Sequence, residues 1–159
     1  MASTLIYLVI HCTHTPLGRN VTPEQIRRWH TAPKPAGRGW SRVGYSDMIM
    51  LNGTLVNLRK FDQDDIVQSD ERTWGAYGIN SMSRHIVYVG GTDRLFNPMD
   101  TLTADQSKSL EVYVKYMTLR HPNIKVCGHN QHSSKACPSF DVPSWCERIG
   151  LDEKNIYRG

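Results

Sequence analysis

One run limits the fold more than any other: Leu5-Ile6-Tyr7-Leu8-Val9-Ile10, apolar at every position. It shows no period-2 alternation, so it describes a strand buried on both faces rather than the half-exposed strand of an open antiparallel sheet. Such a strand needs cover above and below. The run is too short to cross a membrane as a helix, which takes about 20 residues. No basic segment precedes it and no small-residue cleavage site follows it, so neither a membrane anchor nor a secretory signal is expected. It ends in His11-Cys12-Thr13. A histidine at the end of a central strand is held rigidly and points into whatever cleft lies there. Alone, His11 reads equally as a satisfied core histidine and as a metal ligand.

The remaining elements follow from caps and turns. Thr22-Pro23-Glu24-Gln25 is a capping box with proline at the first helical position, and Ile26, Trp29 and His30 fall on one face behind it. Pro33, Pro35, Gly37 and Gly39 end that helix in a loop. Val43 to Leu51 reads as a strand, Asn52-Gly53 as a hairpin turn, and Thr54 to Leu58 as the antiparallel return. Residues 60–83 show no period and read as an acidic turn followed by an aromatic, glycine-containing loop bordering a cleft. Arg84 to Val89 is a second apolar strand, closed by Gly90-Gly91 as a tight turn. Thr103 to Gln106 is another capping box, heading a helix to about Arg120. His121-Pro122 ends it. Ile124 to Cys127 is a short strand, and Val142 to Ile149 a last helix with Asp141 as N-cap. The expected fold class is α/β: a mixed central β-sheet flanked by helices, in a single domain.

The chemistry concentrates in Cys127 to Asp141, a segment rich in Ser, Asn and Gly that can be neither core strand nor regular helix. Ordered loops on a rigid scaffold are where sites sit. Here His129 and Cys137 flank Lys135. With His11 as third ligand they form an N/N/S set that leaves a tetrahedral Zn2+ one open position, the arrangement of a catalytic rather than a structural zinc. Zinc so held makes a water available as hydroxide at neutral pH, suited to amide or ester hydrolysis. Lys135, two residues from Cys137, suits a developing oxyanion, and Tyr45 could reach the water if its strand abuts that of His11. His132 and His14 compete as ligands; strand ends fix geometry better than loop tips, which favours His129 and His11.

Composition narrows the partners. The net charge is +4 with no dense Lys/Arg stripe, so no nucleic-acid partner is expected. Four cysteines without a CxxC pair suggest no structural zinc finger and read as buried or free thiols, with a Cys127–Cys146 disulfide left open.

Taken in order, a set of segments resembles the zinc-dependent N-acetylmuramoyl-L-alanine amidases of type 2. The set is Val9-Ile10-His11-Cys12, Trp29-His30, Gly39-Trp40, Val43-Gly44-Tyr45, Asn52-Gly53-Thr54 with Arg59, Tyr88-Val89-Gly90-Gly91, and Gly128-His129 with Lys135-Ala136-Cys137-Pro138-Ser139-Phe140-Asp141. That family includes phage lysozymes that are amidases and the peptidoglycan recognition proteins. The resemblance spans almost the whole chain, and its last segment is the most specific. It implies one zinc in a surface groove, with His11, His129 and Cys137 as ligands and Tyr45 and Lys135 as the catalytic pair. It also implies cleavage of the amide between the lactyl group of N-acetylmuramic acid and L-alanine of the stem peptide. Residues 1–159 would then be one amidase domain, a monomer with peptidoglycan as partner. The expected setting is a phage or prophage endolysin, cytoplasmic until released to the cell wall. The alternative is a non-catalytic peptidoglycan-binding module of the same fold; those typically lack the cysteine ligand, which is present here. Two places depart from the family pattern. Ser46-Asp47 stand where many members have His-Phe, and Gly75-Ala76 where many carry His-Ala, so no substrate subsite is carried over.

Overall fold

The computed structural model describes residues 2–159. In chain order its elements are β1 (Ser3–Thr4), β2 (Tyr7–Cys12), β3 (Thr15–Pro16), α1 (Pro23–Thr31), β4 (Asp47–Ile49), β5 (Leu55–Asn57), β6 (Ile66–Val67), β7 (Ser83–Tyr88), β8 (Gly91–Thr92), α2 (Ala104–Arg120), β9 (Lys125–Gly128) and α3 (Val142–Arg148). The central sheet runs β5-β4-β7-β2-β9. β4, β7, β2 and β9 are parallel, and β5 returns antiparallel on β4. This is the mixed sheet that the sequence calls for.

Helices cover both faces, which is why the central strands lack polar alternation. Leu8, Ile10, Ile86 and Tyr88 pack with Leu110, Val114 and Met117 of α2 and with Trp145 of α3. On the opposite face Met48 and Val87 pack with Ile26 of α1. His11 and His85 lie on this second face, since each is one residue out of step with the first set. Both capping boxes form: Thr22 with Gln25, and Thr103 with Gln106. Gln106 also donates to the Val89 carbonyl at 2.9 Å, pinning the start of α2 to the end of β7. At Gly53 the hairpin turn takes φ +87°, a conformation that glycine adopts without steric cost.

Four expectations change. Val43 to Ser46 is not strand, because the Gly44 N–H donates to the buried ring of His30 instead of entering a ladder. The strand is confined to Asp47–Ile49. Gly90-Gly91 is no tight turn: the chain bends at Val89 and goes on into β8, which pairs in parallel with β3. A side chain at Gly91 would collide with Cys12 Sγ, so glycine is required there by close approach. The segment 60–83 is not structureless, for its β6 pairs with β1. Asp141 holds the N-cap position of α3, but its carboxylate accepts from the Ser144 hydroxyl at 2.8 Å rather than from a backbone N–H. All four cysteines are free thiols, so the Cys127–Cys146 pairing left open by the sequence is not formed.

Candidate metal centre

Four parallel strands end on one side of the sheet, and a crevice at the carboxyl ends of parallel strands is the usual ligand site of such folds. Register brings the first two donors together. Ile10 of β2 pairs with Gly128 of β9, so the residues that follow them, His11 within β2 and His129 just past the end of β9, emerge at the same level. Their ring centroids are 4.8 Å apart. The third donor arrives from the loop after β9. The Tyr88 hydroxyl donates to the Pro138 carbonyl at 2.6 Å, the Asn130 N–H to the Cys137 carbonyl at 2.7 Å, and the Asn130 amide to the Phe140 carbonyl at 3.2 Å. So tethered, Cys137 Sγ stands 3.6 Å from His11 Nδ1 and accepts the Cys12 N–H at 3.2 Å. The ligand atoms of His11, His129 and Cys137 all lie within 4.8 Å of one another.

The neighbouring groups keep two of the three donors in the state a metal needs. Burial, followed by the rings of His85 and His129, holds His11 well below the usual imidazole range. Burial and Lys135 bring His129 down to about 4. Both rings are therefore neutral at pH 7, with a lone pair to give. Cys137 differs: the Cys12 thiol beside it, then burial, push its own thiol up. Its proton must leave as a cation arrives.

A groove opens above the trio in two adjoining lobes. One, of about 450 Å³, is lined by Cys12, His14, Trp29, Tyr45, Lys135 and Cys137 among others. The second, of about 620 Å³, extends past Trp40, Trp74, Tyr77 and Asn80. Tyr45, His129 and Lys135 belong to both. Tyr45 comes from the irregular segment before β4 rather than from a strand, and its ring centroid is 4.9 Å from that of His11. Burial pushes its phenol far up, so it is a neutral hydroxyl. Lys135 is exposed on the loop that carries Cys137. Trp29, on the same face of α1 as Ile26 and His30, is half-buried and forms part of the groove wall.

The competing histidines are elsewhere. His132 stacks on Tyr157 with centroids 4.8 Å apart. His14 lines the groove but is not one of the clustered donors. The sequence reading missed His85. Buried in the middle of β7, it lies with Nδ1 2.9 Å from His11 Nε2, and its Nε2 lies 2.9 Å from Asn80 Oδ1. The available signal was chemical: a histidine inside a strand destined for burial must find partners for both ring nitrogens.

Three convergent N/N/S donors that could hold a metal lie under a groove, with a phenol and an ammonium at its walls, an arrangement suited to a hydrolase. Comparison with known proteins specifies it. The family model of N-acetylmuramoyl-L-alanine amidase matches residues 2–140. The endolysin of Klebsiella phage KP32 is 31% identical over 144 residues, covering 91% of this chain and 87% of that protein. The endolysin of Enterobacteria phage K11 is 32% identical, covering 86% and 82%. Among solved structures, an N-acetylmuramoyl-L-alanine amidase from Clostridium intestinale superposes with a TM-score of 0.70 at 22% identity, covering 94% and 87%. A peptidoglycan recognition protein of Apis mellifera superposes at 0.68 and 17%, covering 98% and 86%, a likeness of fold alone. The chain belongs to the N-acetylmuramoyl-L-alanine amidase family and is an enzyme of that class.

Proposed function

We propose that this enzyme hydrolyses, with zinc, the amide between the lactyl group of N-acetylmuramic acid and L-alanine of the peptidoglycan stem peptide, and that it serves as a phage or prophage endolysin. His11, His129 and Cys137 are the zinc ligands. One distance carries the reading. Bonds of about 2.3 Å to sulfur and 2.0–2.1 Å to nitrogen at a tetrahedral angle put the two ligand atoms about 3.6 Å apart, and Cys137 Sγ to His11 Nδ1 is 3.6 Å. Two imidazoles and a thiolate also suit zinc by ligand softness, and the groove lies over the three donors that would hold it.

Bound zinc supplies Lewis acidity, which brings the pKa of a water it holds from 15.7 to about 7. The chain's own groups do the rest. The neutral Tyr45 hydroxyl can hold the attacking water by a hydrogen bond. Lys135 offers up to three N–H donors to the oxygen that gains charge as the amide carbonyl becomes tetrahedral. The groove receives the glycan and peptide on either side of the scissile bond, along walls that include Trp40, Trp74 and Tyr77. No helix among the described residues is long and apolar enough to cross a membrane. The full donor trio speaks against a purely binding role, for which a thiolate ligand has no use.

The test is digestion of purified sacculi with and without chelator. Soluble stem peptides with L-alanine at a new amino end, lost on chelation and restored by zinc, are the expected products. Intact sacculi from several wall types would refute the proposal.

A further inference from the structure

We infer that His85, held by Asn80, is a positioning residue that fixes His11 in the tautomer able to give Nδ1 to a metal; this rests on the metal reading above. The hydrogen-bond relay starts at a backbone donor. The Ala76 N–H lies 2.9 Å from Asn80 Oδ1, so the atom of the Asn80 amide that faces inward is the oxygen. That oxygen lies 2.9 Å from His85 Nε2. An acceptor on that side requires the hydrogen of a neutral His85 to sit on Nε2, leaving only a lone pair on Nδ1. His85 Nδ1 is 2.9 Å from His11 Nε2, which must then be the donor. With its hydrogen on Nε2, His11 keeps a lone pair on Nδ1, the atom that faces Cys137 Sγ at 3.6 Å. Each link permits one choice, and the choice propagates from a peptide N–H to the ligand atom.

The space for this relay is bought at Gly75, one of the two departures from the family pattern. A Cβ there would lie 2.5 Å from both Cγ and Nδ1 of His85. Glycine at 75 and histidine at 85 are therefore one coupled feature. Second partners that orient a ligand histidine are commonly worth about 10–100-fold in metal affinity.

A buried histidine that merely packs would predict lost stability and nothing more, so the test separates the two. The amide oxygen of Asn can take the place of His Nδ1, whereas the amide of Gln reaches the place of Nε2. His85→Asn keeps an acceptor for His11, and His85→Gln removes it. Both variants should lower the melting temperature of the metal-free protein to a similar degree. Zinc affinity, measured by competition with a chromophoric chelator, should fall about 10–100-fold in His85→Gln and stay within about threefold in His85→Asn. Nitrogen-15 NMR of the metal-free protein reads the tautomer directly: His11 should carry its hydrogen on Nε2 in the parent, and as a mixture in His85→Gln. Equal zinc affinity in the two variants would overturn the inference while leaving the zinc reading standing. A parent protein that binds no zinc but shows the Nε2 tautomer, lost in His85→Gln, would do the reverse. A hydrogen on Nδ1 of His11 in the parent would end the inference outright.

Discussion

Two cavities of comparable size sit on opposite sides of β4, and they are chemically opposite. One, of about 640 Å³, lies between β5 and α2 and is walled by Leu55, Phe61, Val112, Tyr113, Tyr116 and Met117. Its one buried acid, Asp47, is already satisfied: Tyr113 donates to it at 2.6 Å and Asn57 at 2.8 Å. The groove at the strand ends is more polar, and under it three donors converge, with Cys137 Sγ 3.6 Å from His11 Nδ1. Volume and apolar lining are what a cavity of the first kind offers, and packing explains them. The proposed chemistry belongs where buried donors converge under a groove.

Breaking the trio should have the largest effect. Cys137→Ser is expected to lose zinc and all measurable turnover while the metal-free protein melts within about 4 °C of the parent. Metal analysis and calorimetry check both halves, and a variant that keeps normal activity removes the sulfur from the site.

Lys135→Ala should keep its zinc and lose about 2.7–4 kcal/mol of transition-state stabilisation, a fall of about 10²–10³ in kcat, as for a single oxyanion donor. A loss confined to KM would assign the lysine to substrate binding instead. Gly75→Ala comes next. Its methyl group must displace the ring of His85, at a cost of about 1–3 kcal/mol in denaturant unfolding, with weaker zinc binding as a by-product. Unchanged stability would mean that the relay is loosely packed.

Acid should expose the buried imidazoles. Burial brings His85 down to about 3 and His30 to about 4, against about 6.5 in an unfolded chain. Below pH 6.5 the unfolded chain takes up protons that the folded one refuses, so stability is full above that pH and is lost as pH falls towards 4. His85 alone accounts for about 1.4 kcal/mol per pH unit in the metal-free protein, to be read from urea midpoints. A flat profile between pH 6.5 and 4 would place a charge on that ring. The smallest effect belongs to the other cavity. Val112 is 62% exposed at its rim, and Val112→Ala should change stability by no more than about 0.5 kcal/mol and leave digestion unaltered. A marked loss of activity there would erase the contrast between the two regions.

Much of this was legible from residues alone, because it depends on local rules. The unbroken apolar run gave β2 and the sheet cover; Thr22/Gln25 and Thr103/Gln106 gave two helix starts; Asn52-Gly53 gave the hairpin. The candidate donors His129 and Cys137, with Lys135 between them, were legible as residue types, since they stand in a loop rich in Ser, Asn and Gly. What stayed hidden depends on register. Gly91 looks like a turn residue until β3 and β8 are paired and Cys12 closes over it. Val43 and Gly44 look like strand until His30 takes the Gly44 N–H. His85 looks like one more residue of a core strand until the parallel pairing of Val9 with His85 sets it beside His11. Asp47 looks like one more strand residue until Tyr113 donates to its carboxylate, on the side away from the groove.

X-ray absorption at the zinc edge of the purified, zinc-loaded protein tests the central claim most directly. The account predicts one sulfur at about 2.3 Å and two imidazole nitrogens at about 2.0–2.1 Å, completed by one light atom. A spectrum with no sulfur, or with two because Cys12 joins Cys137, would contradict it.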